Sequence, residues 1–148
     1  MNRLLPPLPV PVRAASDAAS ALAPSLQSRS ILIVEDEGLL ALDMEFALID
    51  AGADVLGPVV DVKGGLDLLS DPDLAIDAAI LDLDLRGVPV YPIADLLKSR
   101  NVPFVFHTGH GRAEELQQRY GEDLAVFTKP SRIESILAKL AGMIGGPG

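Results

Sequence analysis

Short apolar runs alternate with amphipathic stretches from residue 30 onward, and the alternation repeats five times. Each run is too short for a helix and is bounded by polar or turn residues, a pattern typical of strands buried on both faces. Gly57 and Pro58 interrupt the second run, which favours an edge position in the sheet for that strand. We predict strands near residues 31–34, 55–60, 78–81, 103–108 and 124–127.

Apolar residues at helical spacing predict a helix after each strand. They are Leu39, Leu42, Phe46 and Ile49; Leu66 and Leu69; Ile93, Leu96 and Leu97; Leu116; and Ile133, Ile136, Leu137, Leu140 and Ile144. The apolar residues of the second helix and of the fifth helix should face inward. Gly52 should end the first helix, and Ser131 should cap the last one in a capping box with Glu134. The fourth helix, near 112–120, should be the most exposed and the least firmly held.

Five such βα units with right-handed crossovers predict an α/β fold, a doubly wound and mostly parallel sheet with helices on both faces. At 148 residues the chain is one domain by length. Residues 1–29 differ from the rest, because they hold five of the twelve prolines and many alanines. We predict a tail at 1–29, either mobile or used as a docking arm, and a folded domain at 30–148.

Composition narrows the classes of function. The chain has no cysteine, which excludes disulfides, thiolate metal sites and a cysteine nucleophile. Its formal charge of -9 argues against nucleic acid as a partner and favours a divalent cation or a basic protein surface. No apolar run approaches the roughly 20 residues of a membrane span, and prolines break the stretch near the start that could resemble a signal peptide. We expect a cytoplasmic protein that binds neither nucleic acid nor a membrane.

Carboxylates follow two of the predicted strands. Glu35 and Asp36 come directly after the first strand, and Asp82 and Asp84 follow the third. Parallel strands bring their carboxyl ends to one edge of the sheet, where ligands bind. Carboxylates gathered there repel one another unless a cation is present, and Mg²⁺ takes such oxygen ligands. We predict Mg²⁺ held directly by Asp36 and Asp82, by the backbone carbonyl of Asp84, and by Glu35 through water.

Thr108 and Lys129 end the fourth and fifth strands at the same predicted edge. A lysine ammonium is a point charge for phosphate oxygens, and a threonine hydroxyl can donate a hydrogen bond to another oxygen. Taken singly, either residue reads as an ordinary strand-end or surface residue. Taken together with the carboxylates, they predict that a phosphoryl group on Asp82 is held from three sides.

The stretch from about Ser30 to Gly142 resembles a receiver domain of bacterial two-component signalling, which implies a flavodoxin-like receiver fold. The likeness lies in four motifs in the family's order, at residues 31–37, 80–84, 106–109 and 128–130. No segment for an output domain remains, so the likeness is to a single-domain response regulator that switches a surface for a downstream protein, or relays or drains phosphate. Such a protein catalyses only its own modification and is not otherwise an enzyme.

The resemblance implies a role for each residue at the strand ends. Asp82 would be the phosphoacceptor, Thr108 the switch hydroxyl and Lys129 the phosphate-contacting lysine, with Glu35 and Asp36 as the acidic pair for Mg²⁺. A cis peptide bond before Pro130 is also implied. In the loop after Thr108, Gly109 would permit movement, and His110, like Asp84, could tune hydrolysis.

Two features concern the subfamily and the switch. Val126 stands where many receivers carry a tyrosine or phenylalanine, and by strand alternation Phe127 points to the opposite face. Residues 104–111 resemble the "FAT GUY" subfamily of standalone receivers, with His107 in place of a small residue. That resemblance implies a histidine kinase of the HWE or a related type, or a phosphotransfer protein, as the partner.

Two other functions stay open at this point. A haloacid-dehalogenase-type phosphatase also uses an aspartate pair like Asp82 and Asp84, although it places its acidic pair after that motif and needs a cap domain for its substrate. A pseudo-receiver would bind partners without being phosphorylated. The complete set of acidic, threonine and lysine positions speaks against the pseudo-receiver.

Overall fold

The computed structural model describes residues 25–109 and 111–144. The strands are β1 (Ser30–Val34), β2 (Asp54–Val59), β3 (Ala78–Leu81), β4 (Asp84–Leu85), β5 (Val88–Pro89), β6 (Phe104–Thr108) and β7 (Val126–Thr128). The helices are α1 (Gly38–Asp50), α2 (Val62–Leu69), α3 (Tyr91–Ser99), α4 (Ala113–Tyr120) and α5 (Ile133–Ile144). None of the helices in this part of the chain has the length and apolarity to cross a bilayer.

Five of the strands form one parallel sheet in the order β2-β1-β3-β6-β7. The order reverses between β1 and β3, so the chain winds outward in both directions from that point, where α/β sheets open a ligand crevice. The strand β2 lies at the edge, as the interruption at Gly57 and Pro58 predicted. The doubly wound flavodoxin-like fold is therefore confirmed, and the peptide bonds before Pro58 and Pro130 are cis.

Two apolar cores lie on opposite faces of the sheet, and alternate residues of β1 divide between them. Leu32 and Val34 face the core that α2, α3 and α4 cover, whereas Ile31 and Ile33 face the core of α1 and α5. Leu26, which precedes β1, is only 4% exposed and packs into the second core. The chain thus already packs against the domain before residue 30, while residues 1–24 of the predicted tail lie outside the described residues.

The helix α1 was predicted from one apolar face and is buried on another. The helix was predicted from Leu39, Leu42, Phe46 and Ile49, and these residues are 82, 42, 61 and 55% exposed, respectively. The buried residues are Ala41, Met44 and Leu48. Because α1 is apolar around most of its circumference, the spacing of its larger residues indicated a helix without identifying the inward face.

Two smaller predictions are wrong. Leu69 of α2 is buried, but Leu66 is 37% exposed. Gly65 occupies the inward position instead, because a side chain there would overlap Ile93. Ser131 does not cap α5, since that helix begins two residues later and the Ser131 hydroxyl donates a hydrogen bond to the carbonyl of Thr128 at 2.6 Å.

The two leucines of α2 give a matched test of this packing. We expect Leu69→Ala to lower the free energy of unfolding by about 2–5 kcal/mol, because it empties a fully buried site. Leu66→Ala should cost less than about 1 kcal/mol, since that side chain is partly in solvent. Urea denaturation of both variants measures the difference, and equal losses would contradict the assignment of the inward face.

Candidate functional site

Polar side chains are buried where the central strands end. Glu35 follows β1, Asp82 follows β3 and Thr108 ends β6, and these residues are 1, 6 and 3% exposed. The sheet ladder continues past the strands, since Glu35 N–H donates to Val59 O at 2.9 Å and Asp82 N–H donates to Val34 O at 2.8 Å. The regular backbone of the sheet therefore carries these side chains, so their positions are set by the fold.

Three carboxylates converge at this edge. Glu35, Asp36 and Asp82 each offer an oxygen, and these oxygens lie within 4.8 Å of one another. The backbone N–H of Arg86 donates to Asp36 Oδ2 at 2.9 Å, which fixes the Asp36 carboxylate from the side of the following loop. An all-oxygen, partly buried set of this kind fits a hard divalent cation such as Mg²⁺.

The Lys129 ammonium lies among the same carboxylates. Its Nζ is 3.0 Å from Asp82 Oδ2 and 3.1 Å from Glu35 Oε1, and it also contacts the Glu37 carboxylate. The Lys129 side chain is only 16% exposed, and its backbone N–H donates to Thr108 O at 2.7 Å. A single buried positive charge thus offsets repulsion among negative groups that β1 and β3 bring together.

Burial and mutual repulsion change the acidity of the cluster. Burial, followed by the charge of Asp82, raises the pKa of Glu35 from 4.5 to about 7. Burial lowers the pKa of Lys129, but its hydrogen bonds to Glu37, Asp82 and Glu35 outweigh burial and raise the pKa above its ordinary value. Lys129 is therefore charged at neutral pH, whereas Glu35 is close to half protonated when no cation is bound.

A small hairpin fixes the backbone that follows Asp82. The strands β4 and β5 pair antiparallel, with Arg86 and Gly87 at positive φ of 53° and 84° between them. The Asp84 side chain is exposed and is not part of the carboxylate cluster, so only its backbone can serve as predicted. A two-residue turn ending in glycine between apolar residues is the signal that identifies such a hairpin.

Sequence reasoning missed Glu37 as a residue of the site. Its carboxylate contacts Lys129, and its backbone N–H donates to Glu35 Oε2 at 3.1 Å. Its side chain is 60% exposed, so Glu37 forms the outer wall of the cluster. The run of three consecutive acidic residues after β1 was the available signal.

Beside Thr108 lies the buried imidazole of His107. Both ring nitrogens of His107 are buried, and neither has a partner among the described residues. Burial, followed by the positive charge of Lys129, lowers the pKa of His107, so the ring is neutral at pH 7. Gly109 is exposed, and a Cβ added there would meet no atom of the described residues within 4 Å, chain neighbours aside. His110 lies outside the described residues, so its modulating role stays a prediction.

On the side of the sheet that α4 covers, β7 contributes Val126, and the nearby aromatic ring belongs to Tyr120 of α4. Val126 faces the first core and Phe127 the second, as strand alternation predicted. On the Val126 side, Tyr120 of α4 packs edge-on against Phe104 with 5.3 Å between the ring centroids. The Tyr120 hydroxyl donates to Asp95 Oδ1 at 2.7 Å, which ties α4 to α3.

Several solved structures are similar to this chain over most of its length. A response regulator receiver protein from Sinorhizobium medicae WSM419 is 27% identical, with a TM-score of 0.66, and the alignment covers 80% of this chain and 98% of that one. SdrG from Sphingomonas melonis Fr1 is 38% identical, with a TM-score of 0.63 and coverage of 78% and 98%. The non-phosphorylated HemR receiver domain from Leptospira biflexa shares the fold at 23% identity, with a TM-score of 0.69 and coverage of 82% and 98%. Searches of protein-family models and of curated proteins found no match.

The raised pKa of Glu35 predicts a pH-dependent stability of the cation-free protein. The folded state binds more protons than the unfolded state between pH 4.5 and about 7, so the free energy of unfolding should fall as the pH rises through that window. We expect this contribution to be no more than about 3 kcal/mol. Urea denaturation in the presence of a chelator, at a series of pH values, measures it.

The matched control is Glu35→Gln, which removes the titration. His107, whose pKa is lowered, contributes a slope of the opposite sign as the pH rises. The comparison of wild type with Glu35→Gln cancels that contribution. If both proteins show the same pH dependence, Glu35 does not titrate as described.

Proposed function

The chain belongs to the receiver domains of response regulators, and from that membership we propose that Asp82 accepts a phosphoryl group from a phosphohistidine. One observation carries the proposal: Asp82 Oδ2 lies 3.0 Å from the Lys129 ammonium, and the Asp82 carboxylate shares a cluster with those of Glu35 and Asp36. A nucleophilic oxygen, a fixed cation and an oxygen-rich cation site are together what phosphoryl transfer requires, because the reaction depends on positioning and charge neutralisation.

The proposed donor is a histidine kinase or a phosphotransfer protein. One Asp82 oxygen attacks phosphorus and forms a P–O bond while the bond between phosphorus and the imidazole nitrogen breaks. That nitrogen keeps the electron pair, so the donor histidine leaves as a neutral ring once it has been protonated. Water later attacks phosphorus, the P–O bond to Asp82 breaks, and inorganic phosphate leaves with the carboxylate restored.

The residues around Asp82 have separate tasks. Lys129 already lies beside the acceptor oxygen, so its charge can follow the phosphoryl oxygens with little movement. Asp36, Asp82 and the Asp84 carbonyl would hold Mg²⁺, with Glu35 acting through water. When bound, Mg²⁺ neutralises negative charge on the phosphoryl oxygens. Glu35, with a raised pKa, gives up its proton more readily once a cation is present.

The switch would start at Thr108. Its hydroxyl is at the end of β6, beside the acceptor strand, and movement toward the phosphoryl group would draw residues 109–112 and then α4 with it. The contact between Tyr120 and Asp95 opposes such a shift, so phosphorylation would change the population of two packings. Because Val126 has no ring to couple to Thr108, we assign the response to the loop and α4.

The wider role remains a proposal by analogy. We propose a single-domain regulator that contacts a downstream protein or serves as a phosphate relay or sink. The standalone subfamily, a kinase of the HWE or a related type and a cytoplasmic location stay predictions that rest on resemblance.

Asp82→Asn should abolish phosphoryl acceptance, because an amide cannot form the acyl phosphate. Acetyl phosphate with Mg²⁺, followed by intact-protein mass spectrometry, measures the added mass. Asp84→Asn is the matched control, since it removes a carboxylate two residues away and keeps the backbone carbonyl. It should still accept a phosphoryl group on Asp82, whatever the lifetime of the product.

The outcome also separates the rival functions. Turnover of p-nitrophenyl phosphate that depends on Asp82 would favour a phosphatase. A wild-type protein that gains no mass from acetyl phosphate and shows no spectral change with beryllofluoride would be a pseudo-receiver. Acceptance at a residue other than Asp82 would contradict the assignment of the site.

Mg²⁺ binding gives a test without turnover. We expect Asp36→Asn to weaken Mg²⁺ affinity at least about tenfold, the scale on which even residues beyond the direct ligands act. Titration followed by NMR chemical shifts measures it. Asp43→Asn on α1 changes the net charge equally and lies outside the cluster, so its affinity should stay close to that of wild type. Equal losses in the two variants would indicate a general charge effect.

A further inference from the structure

Helix α1 has an apolar stripe on its solvent side. Its residues, named here the α1 stripe, are Leu39, Leu42, Phe46 and Ile49, which are 82, 42, 61 and 55% exposed. They follow one another at spacings of three and four residues, so they line one face over about 15 Å. Large apolar side chains gathered in this way mark a site of interaction.

Acidic residues flank the α1 stripe on both sides. At about 100° per residue, Asp43 and Asp50 lie along one side and Glu45 along the other. The helix contains no lysine or arginine. An occupant therefore needs apolar side chains together with basic ones. A second copy of α1 is a poor occupant, because it would bring the same carboxylates against these.

Residues 1–24, which precede the described part of the chain, have the matching composition. Their charged residues are Arg3, Arg13 and Asp17. Their large aliphatic residues are Leu4, Leu5, Leu8, Val10, Val12 and Leu22. The segment is thus apolar with a basic excess, whereas the helix is apolar with only acidic charges.

The chain enters the domain beside one end of the α1 stripe. Ser28 N–H donates to Gly52 O at 2.8 Å, and Gly52 N–H donates to Ile49 O at 2.9 Å. Leu26 is buried in the core that α1 covers. Ser28, near the start of the described chain, therefore lies next to the C-terminal end of α1. About five extended residues are enough to span the length of the stripe.

We propose that residues 1–24 dock on the α1 stripe of the same molecule, with apolar side chains against the stripe and arginines beside its flanking carboxylates. The proposal goes beyond the phosphoryl chemistry and does not depend on it. The docked segment would cover the face of α1 that starts close to Asp36, and other proteins would meet this face only after the segment is displaced.

A spin label in the full chain tests the proposal. The chain has no cysteine, so Ser16→Cys accepts one nitroxide, and NMR reports which amide signals it broadens. We expect loss of the amide signals along the α1 stripe. Phe46→Ser, at an exposed position that should not affect folding, should restore them. Leu66→Ser, at an exposed leucine of α2, should leave the loss unchanged.

Each other result overturns the proposal. Broadening that is equal in wild type and Phe46→Ser would come from a segment that samples the surface without docking. If the amide signals of α1 keep their full intensity, residues 1–24 do not dock there, and the stripe is free to bind another protein. Broadening that occurs only between molecules, in a mixture of spin-labelled and isotope-labelled chains, would make a second copy the occupant.

Within one molecule, Arg13→Glu should weaken the broadening, because a negative charge at position 13 is repelled by the acidic residues that flank the α1 stripe.

Discussion

A single ammonium group among buried carboxylates is the interaction on which this domain's functional edge depends. The sheet places Glu35 and Asp82 on adjacent strands, and each is almost fully buried. Two such charges repel each other strongly in a medium less polar than water. Lys129, which follows β7, reaches across to both carboxylates and offsets part of that repulsion. Burial, followed by the charge of Asp82, still raises the pKa of Glu35.

The charge of Lys129 does not neutralise all of the carboxylates at this site. One positive charge faces the carboxylates of Glu35, Glu37 and Asp82, while Asp36 is held by a backbone N–H of the next loop. The cluster therefore keeps an excess of negative charge at neutral pH. The β4–β5 hairpin and the strand ends hold these oxygens in place, as a site for a divalent ion requires.

The parts of the fold that the sequence predicted well are those in which one physical pattern dominates. Strands buried on both faces, such as β1 and β3, appear as continuous apolar runs and were predicted within a residue or two. The convergence of Asp82 and Lys129 followed from parallel topology alone. The inward face of α1 could not be predicted, because its apolar residues surround the helix and only tertiary packing selects Ala41, Met44 and Leu48.

The other differences between prediction and structure have the same origin. In each, contacts with neighbouring residues outweigh the local preference of the side chain. Leu66 is more hydrophobic than Gly65, yet Gly65 faces inward, where a Cβ would overlap the Ile93 side chain. Ser131 has a good capping side chain, but the helix begins two residues later, and the Ser131 hydroxyl donates to the carbonyl of Thr128. The Glu37 carboxylate belongs to the cluster because Lys129 lies within its reach. Sequence propensity thus indicates which contacts a side chain is able to make, and the tertiary structure determines which of them it makes.

The two faces of α1 are linked to the functional edge by the backbone. The helix begins at Gly38, directly after the acidic run, so one short segment sets both the direction of the Asp36 carboxylate and the direction of the exposed stripe. The buried face fixes the rotation of the helix against β1, and the rotation fixes where the stripe points. Whatever covers the stripe therefore lies at a defined position relative to the carboxylates, since a packed helix cannot turn without opening the second core.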